Sequence, residues 1–360
     1  MRLTLSLCTI ATAILVAGCS GGNVATAPAA PGGPMGAASH LVNGRFIPLW
    51  SKSGSLIPAE LRPSGRSLSA HGHASPMGST GGIYVSEFYG SDVFGYPHNN
   101  QANNPPSCSI NVGLVEPQGI GADNSANLVV PEGAPVLSRQ VIVYSGPSLC
   151  GAELGSFLDT WGQPDDASSA NAASGSIAVA NMFDVGGAGS ISVCTIAGGC
   201  PTNLTNSNMY EVASVLMDAA GDCWASAADQ TGAATLTWFS GCTGNGEAAT
   251  GYMNKYFGGL DIDKNGRIVS ISAFDGQLYV YSGCKPDCTL VGGPFALQGQ
   301  SLFGHLNRQS MIYAAADFQN GQIDVYHYSA SGVTYWYSFN NGLTAGNLVE
   351  GVAVAPRSRK

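Results

Sequence analysis

The chain has 360 residues, of which 10% are charged while glycine alone contributes 49, and its formal net charge is −9. The first 80 residues carry five Lys/Arg against one Glu, so the remainder sets nine basic residues against 22 acidic ones, a net of −13. That balance excludes a nucleic-acid binder, which needs clustered Lys and Arg to neutralise phosphates, and a glycine-rich, charge-poor chain has the composition of a turn-rich, all-β exported protein.

Reading begins at a positive Arg2 followed by an almost wholly apolar run from Leu3 to Ala17, too short for a membrane-spanning helix. This is a signal-peptide core. It leads into Leu15-Val16-Ala17-Gly18-Cys19, which resembles the bacterial lipobox, so residues 1–18 are expected to be removed and Cys19 to be acylated, with palmitate-type chains as the membrane anchor. The protein is then expected in the cell envelope, facing the periplasm or the exterior. Residues 19–80 are rich in Ala, Gly, Pro and Ser and read as a tether, flexible by composition. Phe46, Ile47, Leu49 and Trp50 are its few apolar anchors, and His71 and His73 are an incidental pair within it.

The compact body is placed at 81–360. Cys8 leaves with the signal and Cys19 takes lipid, so eight of the ten cysteines remain, an even number suited to disulfides in an oxidising compartment. Cys194 with Cys200 and Cys284 with Cys288 are separated by turn-like segments, Cys223 and Cys242 flank a predicted hairpin, and these are the candidate pairs; Cys108 and Cys150 remain. No C-x-x-C occurs, which argues against zinc.

Within the body one pattern recurs: an apolar strand, a tight turn, a second strand, a polar turn, and a third strand rich in β-branched and aromatic residues. Copies run from Gln118 to Gly146, Ser214 to Gly241, Gly258 to Cys284 and His305 to Ser329, with a weaker one from Gly175 to Cys194. Taking first strands from Gly119, Asp166, Ser214, Gly259 and His305, the spacings are 47, 48, 45 and 46 residues. One further step reaches Gly351, where Glu350 to Pro356 reads as a first strand with nothing after it. Ile83 to Phe88 and Asp92 to Pro97 read as second and third strands with nothing before them. The two ends complete one another, which predicts an all-β, six-bladed β-propeller with one blade shared by both termini and no open sheet edge between blades.

Pro117 to Asp123, Gly258 to Ile268 and Gly276 to Gly283 resemble the six-bladed propellers of the NHL-repeat group and their gluconolactonase-like and virginiamycin-lyase-like relatives, over roughly residues 81–356. The usual basic residues of the NHL third strand are missing here, and blades three and four depart from the pattern. The resemblance implies a ligand face at the starts of the first strands and the turns between strands two and three. That face collects Gln118, Asp165, Asp166, Glu211, His305 and Glu350 from first strands, and Glu87, Glu132, Asn181 and Asp317 from second-strand ends. Converging carboxylates there can hold Ca2+ or another divalent cation, whose charge would polarise a lactone or ester carbonyl; the alternative is that each acid caps its own turn. Asp261-Ile262-Asp263-Lys264-Asn265-Gly266 spells the opening of a calcium loop, but the twelfth position is Ser272 rather than a bidentate Glu, and a recurring turn residue accounts for it better. Outside the lipobox no G-x-S-x-G occurs, and no phosphate loop is present; Tyr313, Tyr326, Tyr328, Tyr335, Trp336 and Tyr337 are assigned to packing rather than to a sugar platform. The sequence therefore points to a lipid-anchored, monomeric binding or interaction module with a protein or carbohydrate ligand, the alternative being a metal-assisted hydrolase or lactonase.

Overall fold

In a computed structural model, the described residues are 39–42, 45–48, 82–111, 114–133, 139–146, 150–185, 187–344 and 347–357. Residues 1–18 and Cys19, most of the tether, His71 and His73 lie outside them. Within the tether, Ser39–Val42 pairs with Arg45–Pro48 as an antiparallel hairpin.

Six four-stranded antiparallel sheets make up the body. Blade 1 takes its first strand, Val349–Ala355, from the C-terminus and its others, Gly82–Glu87, Asp92–Tyr96 and Cys108–Ile110, from the start of the body. Blade 2 comprises Gly121–Ala122, Leu128–Pro131, Gln140–Tyr144 and Glu153–Leu158. Blade 3 comprises Gly162–Ser168, Ile177–Asp184, Ser190–Thr195 and Gly199–Leu204. Blade 4 comprises Glu211–Met217, Cys223–Ala228, Ala234–Phe239 and Glu247–Ala248. Blade 5 comprises Leu260–Ile262, Ile268–Ser272, Gln277–Gly283 and Cys288–Ala296. Blade 6 comprises Ser301–Leu306, Ile312–Asp317, Gln322–Ser329 and Gly332–Phe339.

Each first strand touches the first strand of the next blade, and that of blade 6 touches that of blade 1, so the six form a closed ring around an axis. The closure expected from the two chain ends is present: Val352 lies opposite Val85, and Ala355 opposite Gly82. Burial falls from the axis outward. Glu211–Met217 and Cys223–Ala228 are buried throughout, whereas Cys288–Ala296 alternates between half-buried and exposed positions. Because successive side chains of a strand point to opposite faces, Ile83 and Val85 enter the core between blades 1 and 6 while Tyr84 enters that between blades 1 and 2. Every seam between neighbouring blades has such an apolar core.

All eight body cysteines are paired. The three expected pairs form, and Cys108–Cys150 joins the outer strand of blade 1 to the turn after the third strand of blade 2. The turn residue that recurs after the first strands of blades 2, 4, 5 and 6 is also explained. Asp123, Asp218 and Asp263 each accept N–H bonds from residues two and four positions on, and Asn307 does so from Met311. The loop at 261–266 is thus a hairpin turn capped by Asp263. Tyr313, Tyr326, Tyr328 and Tyr337 are buried in blade seams, and Trp336 stacks on His327 at 4.4 Å. Tyr335 alone of the six aromatics is exposed.

Candidate functional site

In an antiparallel blade, the start of the first strand and the turn between strands two and three fall at the same end. That end of the wheel is called the mouth. Four of the six first strands carry a register shift near it, at Pro164/Asp166, Val212/Ser214, Ser301/Gly304 and Val349/Gly351. A bulge re-aims the extra residue, and in two strands that residue is a buried acid, Asp165 or Glu350. In blade 3 the cause is visible in sequence, since Pro164 has no N–H to give the ladder.

Asp165, Glu211 and Glu350 lie in one neighbourhood at this level. Asp165 accepts the Met182 N–H at 2.8 Å through Oδ2, while its Oδ1 has no hydrogen-bond partner. Burial, and then the negative charges of Glu350, Glu211 and Asp166, push its carboxyl well above the usual range. Glu211 is 0% exposed, both its oxygens lack a donor, and burial raises its carboxyl well above the ordinary value. The carboxylates have not closed on a common centre. Among the described residues, the one group of three or more Asp, Glu, His or Cys residues with ligand atoms all within 4.8 Å of one another is Asp159, Cys194 and Cys200, and there the two sulfurs are bonded to each other.

The remaining expected site residues tie blades or chain segments to one another or cap structure within their own blade. Asp166 accepts from the Ala167 N–H at 2.8 Å and, across the seam to blade 4, from Ser214 Oγ at 2.6 Å and the Val215 N–H at 3.1 Å. Glu87 binds the segment that leads into the closing strand, accepting from the Thr344 N–H and from Asn347 Nδ2. Glu132 accepts the Val115 N–H at 3.0 Å, and Asp317 caps its own turn through Gln319 and Asn320. Asn181 Nδ2 donates to Ser192 Oγ at 2.8 Å. His305 is not at the mouth: it is the fifth residue of its strand, and its Nδ1 lies 3.4 Å from Asp261 Oδ2.

Two side chains that the sequence reading passed over fill the axis. Phe303, on the first strand of blade 6, reaches across to blade 2, where a Cβ on Gly119 would meet its ring at 2.7 Å. Beyond it, Arg357 turns in from the end of the closing strand. Its Nε donates to Asp261 Oδ1 of blade 5 at 3.2 Å, its Nη1 to Ser168 Oγ of blade 3 at 2.6 Å, and its backbone N–H to Asp123 O of blade 2 at 3.2 Å. Burial alone would raise the Asp261 carboxyl, but the His305 hydrogen bond and the Arg357 charge hold it below the ordinary range. Aromatic spacing gave no hint of Phe303, and a lone Arg near the C-terminus resembles any solvated tail residue.

These features define a six-bladed β-propeller with a filled axis. No known protein family matches the chain, and no curated protein matches it. Solved structures share the fold. A functionally unknown protein from Desulfotomaculum acetoxidans aligns over 75% of this chain and 83% of its own, with TM-score 0.50 and 11% identity. A protein of unknown function from Bacteroides caccae aligns over 78% and 100%, with TM-score 0.53 and 10% identity. A chain of a nidogen/laminin complex aligns over 77% and 98%, with TM-score 0.54 and 9% identity. At such identities the likeness shows architecture alone, because one superfold serves many functions. The four disulfides point to an oxidising, extracytoplasmic location, and no described helix is long and apolar enough to cross a membrane.

Proposed function

We propose that this chain is a lipid-anchored binding or interaction module of the bacterial cell envelope, held away from the membrane by the tether after Cys19. The observation that carries the reading is the pairing of all eight body cysteines within one closed wheel, and the lipobox-like stretch before Cys19 supplies the expected anchor. A disulfide-stapled scaffold of this kind is built for an oxidising exterior. Phe303 and Arg357 fill the axis, so a ligand meets a face of the wheel rather than passing through it. Intact mass and peptide mapping of the purified chain test the proposal. The expected mature form begins at an acylated Cys19, and Cys19→Ala yields an unprocessed or released chain. An unacylated N-terminus at any other residue overturns the anchoring.

A second reading rests on Glu211 and Asp165, whose buried oxygens lack donors. Oxygen-only ligands suit a hard cation such as Ca2+. If a cation binds there, melting temperature rises with Ca2+, Mg2+ or Mn2+ and the rise is lost in Glu211→Gln. An unchanged melting temperature with all three ions removes this reading and with it the metal-assisted hydrolase.

A further inference from the structure

Among the described residues, the half-buried and exposed charges of the body are not spread evenly over its two faces. On the mouth side they are Asp92, Glu116, Asp184, Asp229 and Asp275, with Arg139 and Lys255 as the basic residues. On the opposite side Glu153, Asp222, Glu247 and Asp287 are matched one for one by Lys264, Arg267, Lys285 and Arg308. The opposite face is balanced; the mouth is not. Aromatic rings stand between the mouth acids: Tyr89 is 41% exposed, and Phe183, Tyr210 and Tyr256 are half-buried. One of them already shows the contact such rings make with a cation, since Lys255 Nζ lies 4.9 Å from the Tyr256 ring centre. At the centre of the same face, Glu211 is fully buried with both carboxylate oxygens lacking a donor.

We infer that the mouth is a docking surface for a lysine- and arginine-rich peptide segment, whose cationic side chains pair with the rim acids and lie against the rim aromatics. This rests on the binding-module reading and names the partner's chemistry. Rim carboxylates steer a cationic segment to the mouth. The rings give its aliphatic stems and charged heads a surface to cover, and an ammonium or guanidinium group extended toward the axis brings the donors that Glu211 lacks. A neutral saccharide would draw no long-range attraction from the excess of negative charge, whereas a cationic segment would.

The test uses the full mature chain in detergent and a fluorescent oligolysine peptide, with oligoglutamate of equal length as control, followed by polarisation. Oligolysine is expected to bind and oligoglutamate not, with affinity falling as salt rises. The triple change Asp184→Asn, Asp229→Asn and Asp275→Asn weakens binding by about tenfold. Changing Glu153→Gln, Glu247→Gln and Asp287→Asn on the other face, an equal change in net charge, leaves it within about twofold. Glu211→Gln weakens binding while keeping the disulfides and the melting transition. Equal losses from the two triples, binding of both peptides, or no binding overturns the docking surface. Ca2+ that abolishes binding at constant ionic strength also counts against it, in favour of a cation at the axis. Mass analysis of the same preparation reads the Cys19 anchor separately, so loss of the peptide partner and loss of the anchored-module reading are distinct results.

Discussion

Replacing Arg357 with Met is expected to loosen the ring from its C-terminal end. Arg357 is 4% exposed, its guanidinium joins Asp261 of blade 5 to Ser168 of blade 3, and its backbone N–H binds blade 2. Three blades that are not all neighbours are thereby held through one residue of the tail. Met keeps much of the aliphatic volume but takes the guanidinium away from the buried Asp261 carboxylate, which is left with His305 and the Ile262 and Leu306 N–H groups. Breaking a buried pair by removing one member costs about 3–5 kcal/mol. For a body of this size each kcal/mol lowers the melting temperature by about 2 °C, so the expected fall is roughly 6–10 °C. Calorimetry on the wild type, Arg357→Met, Asp261→Asn and the double variant checks the reasoning. Because both singles break the same pair, the double should cost clearly less than their sum. The Asp261 carboxyl is held below its usual range, so this stability is present above the unfolded carboxylate pKa and fades as pH falls through the folded one. Additive losses, or a melting temperature unmoved in Arg357→Met, would refute the idea that the tail pins the wheel.

Loop entropy ranks the disulfides. Cys108–Cys150 spans 42 residues and Cys284–Cys288 spans four, so removing the first is expected to cost about 4 kcal/mol and the second about 2 kcal/mol; thermal melts of Cys108→Ser/Cys150→Ser and Cys284→Ser/Cys288→Ser compare them, and the reverse order would contradict the ranking. At Glu87 burial is the largest influence and raises the carboxyl to about 7. The folded state therefore holds a proton that the unfolded chain releases near the ordinary value, and stability falls as pH rises from about 4.5 to 7. Glu87→Gln should flatten that slope in melting temperature between pH 5 and pH 8, and an unchanged slope would show that other groups set it. Glu211→Met replaces a buried acid without donors by an apolar chain of similar volume, and is expected to raise the melting temperature of the ligand-free protein by a few degrees; a fall would mean that Glu211 has a partner in solution.

The ring was legible in the sequence because its information is periodic and local. Most blades repeat an apolar first strand, a capped turn and a β-branched third strand, and the incomplete units at Ile83 and Glu350 could be satisfied only by each other. The cysteine pairs were equally readable wherever the partners flank one turn. The axis was not, and the reason lies in how a propeller builds it. Every first strand contributes one or two side chains from a different repeat, so the neighbours that decide a residue's role lie about 46 positions apart, or on the far side of the wheel. Asp165 and Asp166 show the consequence. They are adjacent in sequence, yet the bulge at Pro164 sends one into the axial acid neighbourhood with an oxygen unmet and gives the other to Ser214 and Val215 as a tie between blades. The same displacement carries His305 away from the mouth, where counting repeats put it, because the irregular pairing from Ser301 to Gly304 uses the start of its strand to aim Phe303 across the axis. An acid at the start of a first strand is therefore ambiguous in sequence between blade tie and ligand group. Its hydrogen bonds decide: Asp166, saturated by N–H and O–H donors, belongs to the scaffold, and Glu211, with no donor within reach, is the residue a ligand would have to satisfy.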